Sequence, residues 1–262
     1  MRERKQGQER IPVVVHGRRS RTRVALGRGL WGAAEVAVTL GVVVLLLVVH
    51  QLWWTNQQAR QDAQRQVHAL EREWGDLPKP QEPAYAEGGR GADGPGEARA
   101  QDTGNRRPSA SRRDRAYALL RIPRLNVVAP VAHGIAKKGV LDSGYVGHYP
   151  QTAQPGQAGN FAVAGHRNTH GEPFRHINRL RGGDTIQVET REAIYVYVVG
   201  SRLAQTSPRD TGVIAPVPRS LVKPGAGYSE PGYYLTLTTC TPEYSSRYRL
   251  IIWGELKSMS PR

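Results

Sequence analysis

The chain reads as an all-β domain preceded by one transmembrane helix. Three observations predict this. Residues 31–54 are almost wholly apolar, about the 20 residues a helix needs to cross a bilayer core. From residue 116 to 257, short apolar and polar runs alternate between Gly, Pro, Asn and Asp, the pattern of many short strands joined by turns. Between these parts, residues 75–115 are rich in Gly, Pro, Arg, Gln and Ala and poor in large apolar side chains.

Taken in order, residues 1–30 form a basic tail. The chain carries a net charge of +15, of which +7 lies in this tail and +8 in residues 116–262. A single basic face for nucleic acid would need the charge gathered on one folded surface. Half of it sits instead before an apolar run, where topology explains it. No nucleic-acid partner is expected; the +8 of the folded part leaves room for an anionic partner such as a cell-wall polymer.

Residues 31–54 form the span. From Val36 to Val49 the one polar residue is Thr39, and Trp31, Trp53 and Trp54 flank the run, as aromatic residues do at membrane interfaces. The alternative is a cleaved signal peptide. The apolar run exceeds the usual core of roughly 7–15 residues, and no small-residue cleavage site follows it. The expectation is a single-pass signal anchor in the cell membrane, with the basic N-terminus cytoplasmic and the rest outside.

Residues 55–115 are a juxtamembrane segment and linker. Thr55 to Trp74 is polar and helix-favouring, with Val67, Leu70 and Trp74 spaced by three and four. Residues 75–115 have too little apolar content to offset ordering entropy and read as a flexible spacer giving reach. The folded domain is then 116–257. Strands are expected at Tyr117–Ile122, Val127–Val131, Phe161–Ala164, Thr185–Glu189, Ala193–Val199, Tyr233–Thr239 and Arg249–Trp253, with a short helix in Pro173–Leu180. Such spacing argues for a barrel or a sandwich. Residues 200–232 hold five prolines and read as a long loop.

The chain has one cysteine, Cys240. In a compartment that permits disulfides, a lone thiol is a buried bystander, an intermolecular link or a nucleophile. Cys240 ends the strand Tyr233–Thr239, and alternation sets it with Thr236 and Thr238 on the face opposite Leu235 and Leu237. A thiol of ordinary pKa, about 8.5, needs a cation or a base to react at neutral pH. His166, at the end of the strand Phe161–Ala164, is the candidate partner, with His170 and His176 as competitors. These three histidines lack the acidic residue of an HExxH arrangement, so no metal is expected. An acyl transfer also needs donors aimed at the oxyanion. Arg247 and Arg249 both begin the last apolar strand, and spacing alone does not separate them.

Thr236-Leu237-Thr238-Thr239-Cys240 followed by Arg249 resembles the TLxTC…R signature of sortases. Gly159 to Arg167 resembles the family segment ending in its catalytic histidine, here His166. Gly147-His148-Tyr149-Pro150, Pro155-Gly156 and Gly171-Glu172-Pro173-Phe174 look like the class E branch of actinobacteria. The resemblance covers residues 117–256. It implies an eight-stranded sortase-type β-barrel, with Cys240, His166 and Arg249 on neighbouring strand ends and Thr236, Thr238 and Thr239 as substrate-binding wall residues. His170 stands where class E relatives often have tyrosine, and Thr241 where they often have histidine; these departures bear on substrate preference, not on the triad.

The implied reaction is cysteine transpeptidation. A sorting motif of LAxTG or LPxTG type, on a secreted protein, is cleaved between Thr and Gly through a thioacyl enzyme. The acyl group then passes to a peptidoglycan precursor amine, with no cofactor. A pilin-polymerising sortase would use a lysine acceptor instead. A cysteine hydrolase, an L,D-transpeptidase or a catalytically silent membrane-tethered peptide-binding module are the further readings. The serine–histidine–glycine–cysteine context of L,D-transpeptidases is absent around Cys240.

Overall fold

A computed structural model describes residues 21–75 and 116–262, with side chains from Leu30 onward. The basic tail expected in 1–30 and the spacer expected in 75–115 thus fall largely outside the described residues. Helix α1 spans Arg21–Gly75. From Leu30 it is long and apolar enough to cross a membrane, and its apolar side chains from Val36 to Val49 are exposed on all sides.

The stretch of α1 from Leu52 belongs to the same compact unit as everything after residue 116. Its three- and four-residue spacing makes one apolar stripe. Val67, Leu70 and Trp74 bury themselves against Ala116 and Leu119. Arg121 then bridges helix and barrel, donating from Nη2 to Glu71 and from Nε to Glu189, each at 2.6 Å. Arg262 stacks over the Trp74 ring at 4.6 Å. Residues 55–74, expected as a helix-favouring juxtamembrane segment, are thus helical and docked on the barrel.

Eight strands follow: β1 (Ala116–Ile122), β2 (Val127–His133), β3 (Val146–His148), β4 (Gly159–Ala164), β5 (Thr185–Glu189), β6 (Ala193–Thr206), β7 (Tyr233–Thr241) and β8 (Tyr248–Pro261). They close into a barrel in the order β1-β2-β3-β4-β7-β8-β6-β5. The β2–β3 and β4–β7 pairs are parallel, and the others antiparallel. Closure leaves no open sheet edge. The interior is filled by Leu120, Val131, Phe161, Val163, Ile186, Val188, Leu235, Leu237 and Ile252 among others. Phe174, Ile177 and Leu180 join them, at the three-residue spacing of a 3₁₀ turn. The helix expected in 173–180 is therefore one short turn, Ile177–Arg179.

Two strands run further than the sequence suggests. β6 passes Gly200 and β8 passes Gly254, and the pairing shifts register between Val199 and Ser201. Glycines that read as strand ends mark an irregularity inside continuous strands. The long loop between β6 and β7 is ordered. Asp210 accepts from Thr206 Oγ1 and Ser220 Oγ, both at 2.5 Å, and from the Leu221 amide at 2.8 Å. Its Val213 covers Leu203, Ile251 and Trp253 on the outer face.

Candidate active site

The strand pairing brings the three expected residues to one rim. Cys240 near the end of β7 lies directly across from Arg249 near the start of β8. On the other side, Ala164 ends β4 opposite Thr238. That pairing continues past the strand: the Gly165 amide donates to the Thr238 carbonyl at 3.1 Å, and Thr239 Oγ1 donates to the Gly165 carbonyl at 2.8 Å. His166 follows at once, so it emerges beside the Cys240 end of β7. Gly165 is required here, because a Cβ would come 2.7 Å from the buried Phe174 ring. The Phe174 amide donates to the His166 carbonyl at 3.1 Å, clamping the backbone on both sides of the imidazole.

His166 Nε2 lies 2.8 Å from Asp142 Oδ1. A carboxylate only accepts, so Nε2 carries the proton and Nδ1 is the remaining ring nitrogen. The His170 ring sits tilted against it, with centroids 5.3 Å apart. Arg249 Nη1 donates to the Ser246 and Tyr248 carbonyls at 2.8 and 3.0 Å. A second guanidinium is present. Arg167 is buried, and its Nη1 donates to the Cys240 carbonyl at 3.2 Å and to Thr241 Oγ1 at 2.9 Å. Cys240, itself half-buried, thus lies among positive charge.

The three threonines expected in the substrate wall lie on β7. All are buried. Thr236 Oγ1 donates to Asn160 Oδ1 at 2.8 Å, Thr238 Oγ1 to the Val163 carbonyl at 3.3 Å, and Thr239 to Gly165 as above. Their hydroxyls tie β7 to β4 and the overlying loop rather than lining a surface. Tyr149 OH bonds Thr238 Oγ1 at 3.0 Å, extending that tie to the turn after β3. Asp142 and Arg167 escaped the sequence reading. Arg167 had one signal, its place directly after His166. Asp142 had none, since it lies 24 residues upstream.

The loop after His166 is strained. His170, Gly171 and Glu172 have φ of 52°, 83° and 54°, three successive left-handed residues where L side chains are disfavoured. Such a run persists only where neighbours impose it. Here α1 imposes it. Asn56 Oδ1 accepts from the Gly171 amide at 2.7 Å, and Arg60 pairs with Glu172 at 3.0 Å. The same helix touches the turn after Asp142, where a Cβ on Gly144 would lie 2.7 Å from the Ala59 carbonyl oxygen.

Residues 120–257 match the sortase domain. The chain belongs to the sortase family. Sortases are cysteine transpeptidases acting on sorting-signal proteins and cell-wall amines, and within them the similarity is to class E. The chain is 43% identical over 233 residues to Sortase SrtE1 of Streptomyces coelicolor, covering 87% of itself but 57% of that protein. It is 32% identical over 254 residues to Sortase SrtE2 of the same organism, covering 95% of itself and 90% of that protein. The crystal structure of Sortase E1 from Streptomyces coelicolor with a tripeptide in the active site superposes with a TM-score of 0.54 at 51% identity, over 58% of this chain and 94% of that one. The β-barrel of this sortase is therefore the one the resemblance implies.

Proposed function

We propose that Cys240 is the nucleophile of a membrane-anchored transpeptidase, with His166 as its proton-transfer partner and Arg249 as its electrostatic stabiliser. The register that sets Cys240 across from Arg249, with His166 just past the parallel β4–β7 pairing, is the observation that carries this. The substrate is a sorting motif of LAxTG or LPxTG type at the C-terminus of a secreted protein. The Cys240 thiolate attacks the Thr carbonyl, and the C–N bond to Gly breaks as protonated His166 gives its proton to the leaving amine. The incoming amine of a peptidoglycan precursor loses a proton to His166 and attacks the thioester, releasing Cys240.

Arg249 donates to the oxyanion formed in both steps. Its hydrogen bonds among the described residues leave from Nη1, so Nε and Nη2 are its donors for the substrate. The threonines act behind this site, holding the strand that carries Cys240. The N-terminal tail lies in the cytoplasm, residues 31–54 cross the membrane and the barrel works outside.

The test is mass spectrometry of the purified chain with an LAxTG peptide and a glycine or diamino acid amine, beside Cys240→Ala. A ligated product absent from the variant supports the reading. Hydrolysis without ligation would mean a protease or a different acceptor, such as a pilin lysine. Neither product from a folded chain, across several related motifs, would favour a silent peptide-binding module.

A further inference from the structure

The three histidines lack an HExxH-type arrangement in the sequence, which spoke against a metal. The fold brings a carboxylate to them from elsewhere in the chain. Asp142 Oδ1 lies 2.8 Å from His166 Nε2 and 3.7 Å from His170 Nδ1. The three donor atoms all fall within 4.8 Å of one another. With metal–ligand bonds of about 2.0–2.2 Å, tetrahedral donors stand roughly 3.3–3.6 Å apart, within the range spanned here. Small rotations of the three side chains would bring all of them to one ion.

A second observation points the same way. His170 Nδ1 is buried and has no hydrogen-bond partner among the described residues, and a buried polar atom left so is costly. The left-handed backbone at His170, φ 52°, holds the imidazole there nonetheless. Two imidazoles and one carboxylate suit a borderline transition ion rather than calcium or magnesium, which favour all-oxygen shells.

We propose that Asp142, His166 and His170 form a three-ligand site for Zn²⁺ or a similar transition-metal ion, and that its occupation switches the enzyme off. The inference rests on His166 being the proton-transfer partner. On binding, the ring proton moves from Nε2 to Nδ1, the freed Nε2 lone pair goes to the ion, and the neutral ring is kept from becoming an imidazolium. Binding also parts His166 from Asp142 as a hydrogen-bond pair. Occupation is reversible, so an extracytoplasmic enzyme would sense free metal.

The experiment uses the full chain in detergent micelles, carrying Cys240→Ala so that the thiol is not a ligand. Titration with Co²⁺ should give one equivalent of a visible ligand-field band of low-symmetry Co²⁺, displaced by Zn²⁺. His170→Gln and Asp142→Asn, each in that background, should weaken binding at least tenfold. With Cys240 present, Zn²⁺ should inhibit peptide ligation, EDTA should restore it, and His170→Gln should shift the inhibition by a similar factor. No stoichiometric band, or a band indifferent to both substitutions, overturns the site. Inhibition unchanged in His170→Gln overturns the switch and assigns the effect to the thiol. Binding without any ligation activity in the wild-type chain would sink the catalytic reading and leave the metal site standing.

Discussion

The docking of α1 onto the barrel carries the most exposed prediction. Trp74 is 6% exposed and packs with Val67, Leu70, Ala116 and Leu119, under the Arg262 guanidinium. Replacing a buried Trp by Ala costs roughly 3–5 kcal/mol. The cluster is small and lies at the edge of the unit, so the low end, about 3 kcal/mol, is the appropriate figure for Trp74→Ala. A unit of this size loses about 2–4 °C of Tm per kcal/mol, giving a fall of roughly 6–12 °C for the full chain in detergent.

Activity should fall with it, because α1 also holds the strained His170–Glu172 run through Asn56 and Arg60. Asn56→Ala isolates that effect. It removes a hydrogen bond worth about 1 kcal/mol, which would lower ligation roughly fivefold if the whole of it reaches the transition state, with a Tm fall of at most about 2–4 °C. The assays are calorimetry and peptide ligation on the same preparations. If Trp74→Ala leaves Tm within about a degree of the wild type and ligation untouched, the helix is a passive stalk and the reasoning fails.

Three further outcomes are expected. Arg249→Lys should cut kcat by about 10²–10³, the loss seen when an oxyanion donor goes, with Tm unchanged; a change in KM alone would mean Arg249 only holds substrate. Asp210→Ala should loosen the β6–β7 loop, since its carboxylate gathers Thr206, Ser220 and Leu221; charged hydrogen bonds of about 1.5–3 kcal/mol each predict rapid protease cleavage in 207–232, and resistance equal to the wild type would refute it. Stability should also fall with acid through His148, whose burial, with His133 nearby, holds its pKa down at about 4 against an ordinary 6.5. Folded His148 is neutral where the unfolded residue takes up a proton, so its contribution is complete above pH 6.5 and shrinks towards pH 4, by about 3 kcal/mol in all. His148→Gln should flatten the Tm profile between pH 7 and 4.5; an unaltered acid slope would assign it to other groups.

Alternating patterns made most of the barrel legible, and departures have local causes. Thr185–Glu189 was readable because inward Ile186 and Val188 alternate with outward residues. β3 was missed because Val146-Gly147-His148 is three residues long with a glycine at its centre, too short for any period to show. β6 and β8 were cut short at glycines that sit inside their strands. Cys240 and His166 were legible as strand-end candidates, whereas Arg249 was set apart from Arg247 only by the family resemblance; the register brings the three strand ends together. Asp142 and Asn56 were not legible, because their partners lie 24 and 115 residues away and no local pattern records such a distance. Period two set Thr236 and Thr238 apart from Leu235 and Leu237, but their burial was not legible, because the loop that covers Thr236 comes from 23 residues away.

The buried hydroxyls explain why a reactive group can stand at a strand end without fraying. Strand ends are among the least constrained parts of a sheet, and the attack proposed for Cys240 needs that residue held in place. Here the strand is held from both sides. Thr238 and Thr239 bond carbonyls of the His166-bearing segment at 3.3 and 2.8 Å, and Arg167 returns from that segment to the Cys240 carbonyl at 3.2 Å. The two segments bearing thiol and imidazole are thereby locked to each other rather than separately to the core. Arg249 is fixed independently, by cross-strand pairing with Cys240 and by carbonyls of its own turn. A buried Arg167 leaves little room for substitution, because truncating it removes a donor to the Cys240 carbonyl and one of the side chains that bridge the two segments. Lysine there would keep the charge but not the planar fork, so the geometry of the pair, not its charge, is what Arg167 supplies.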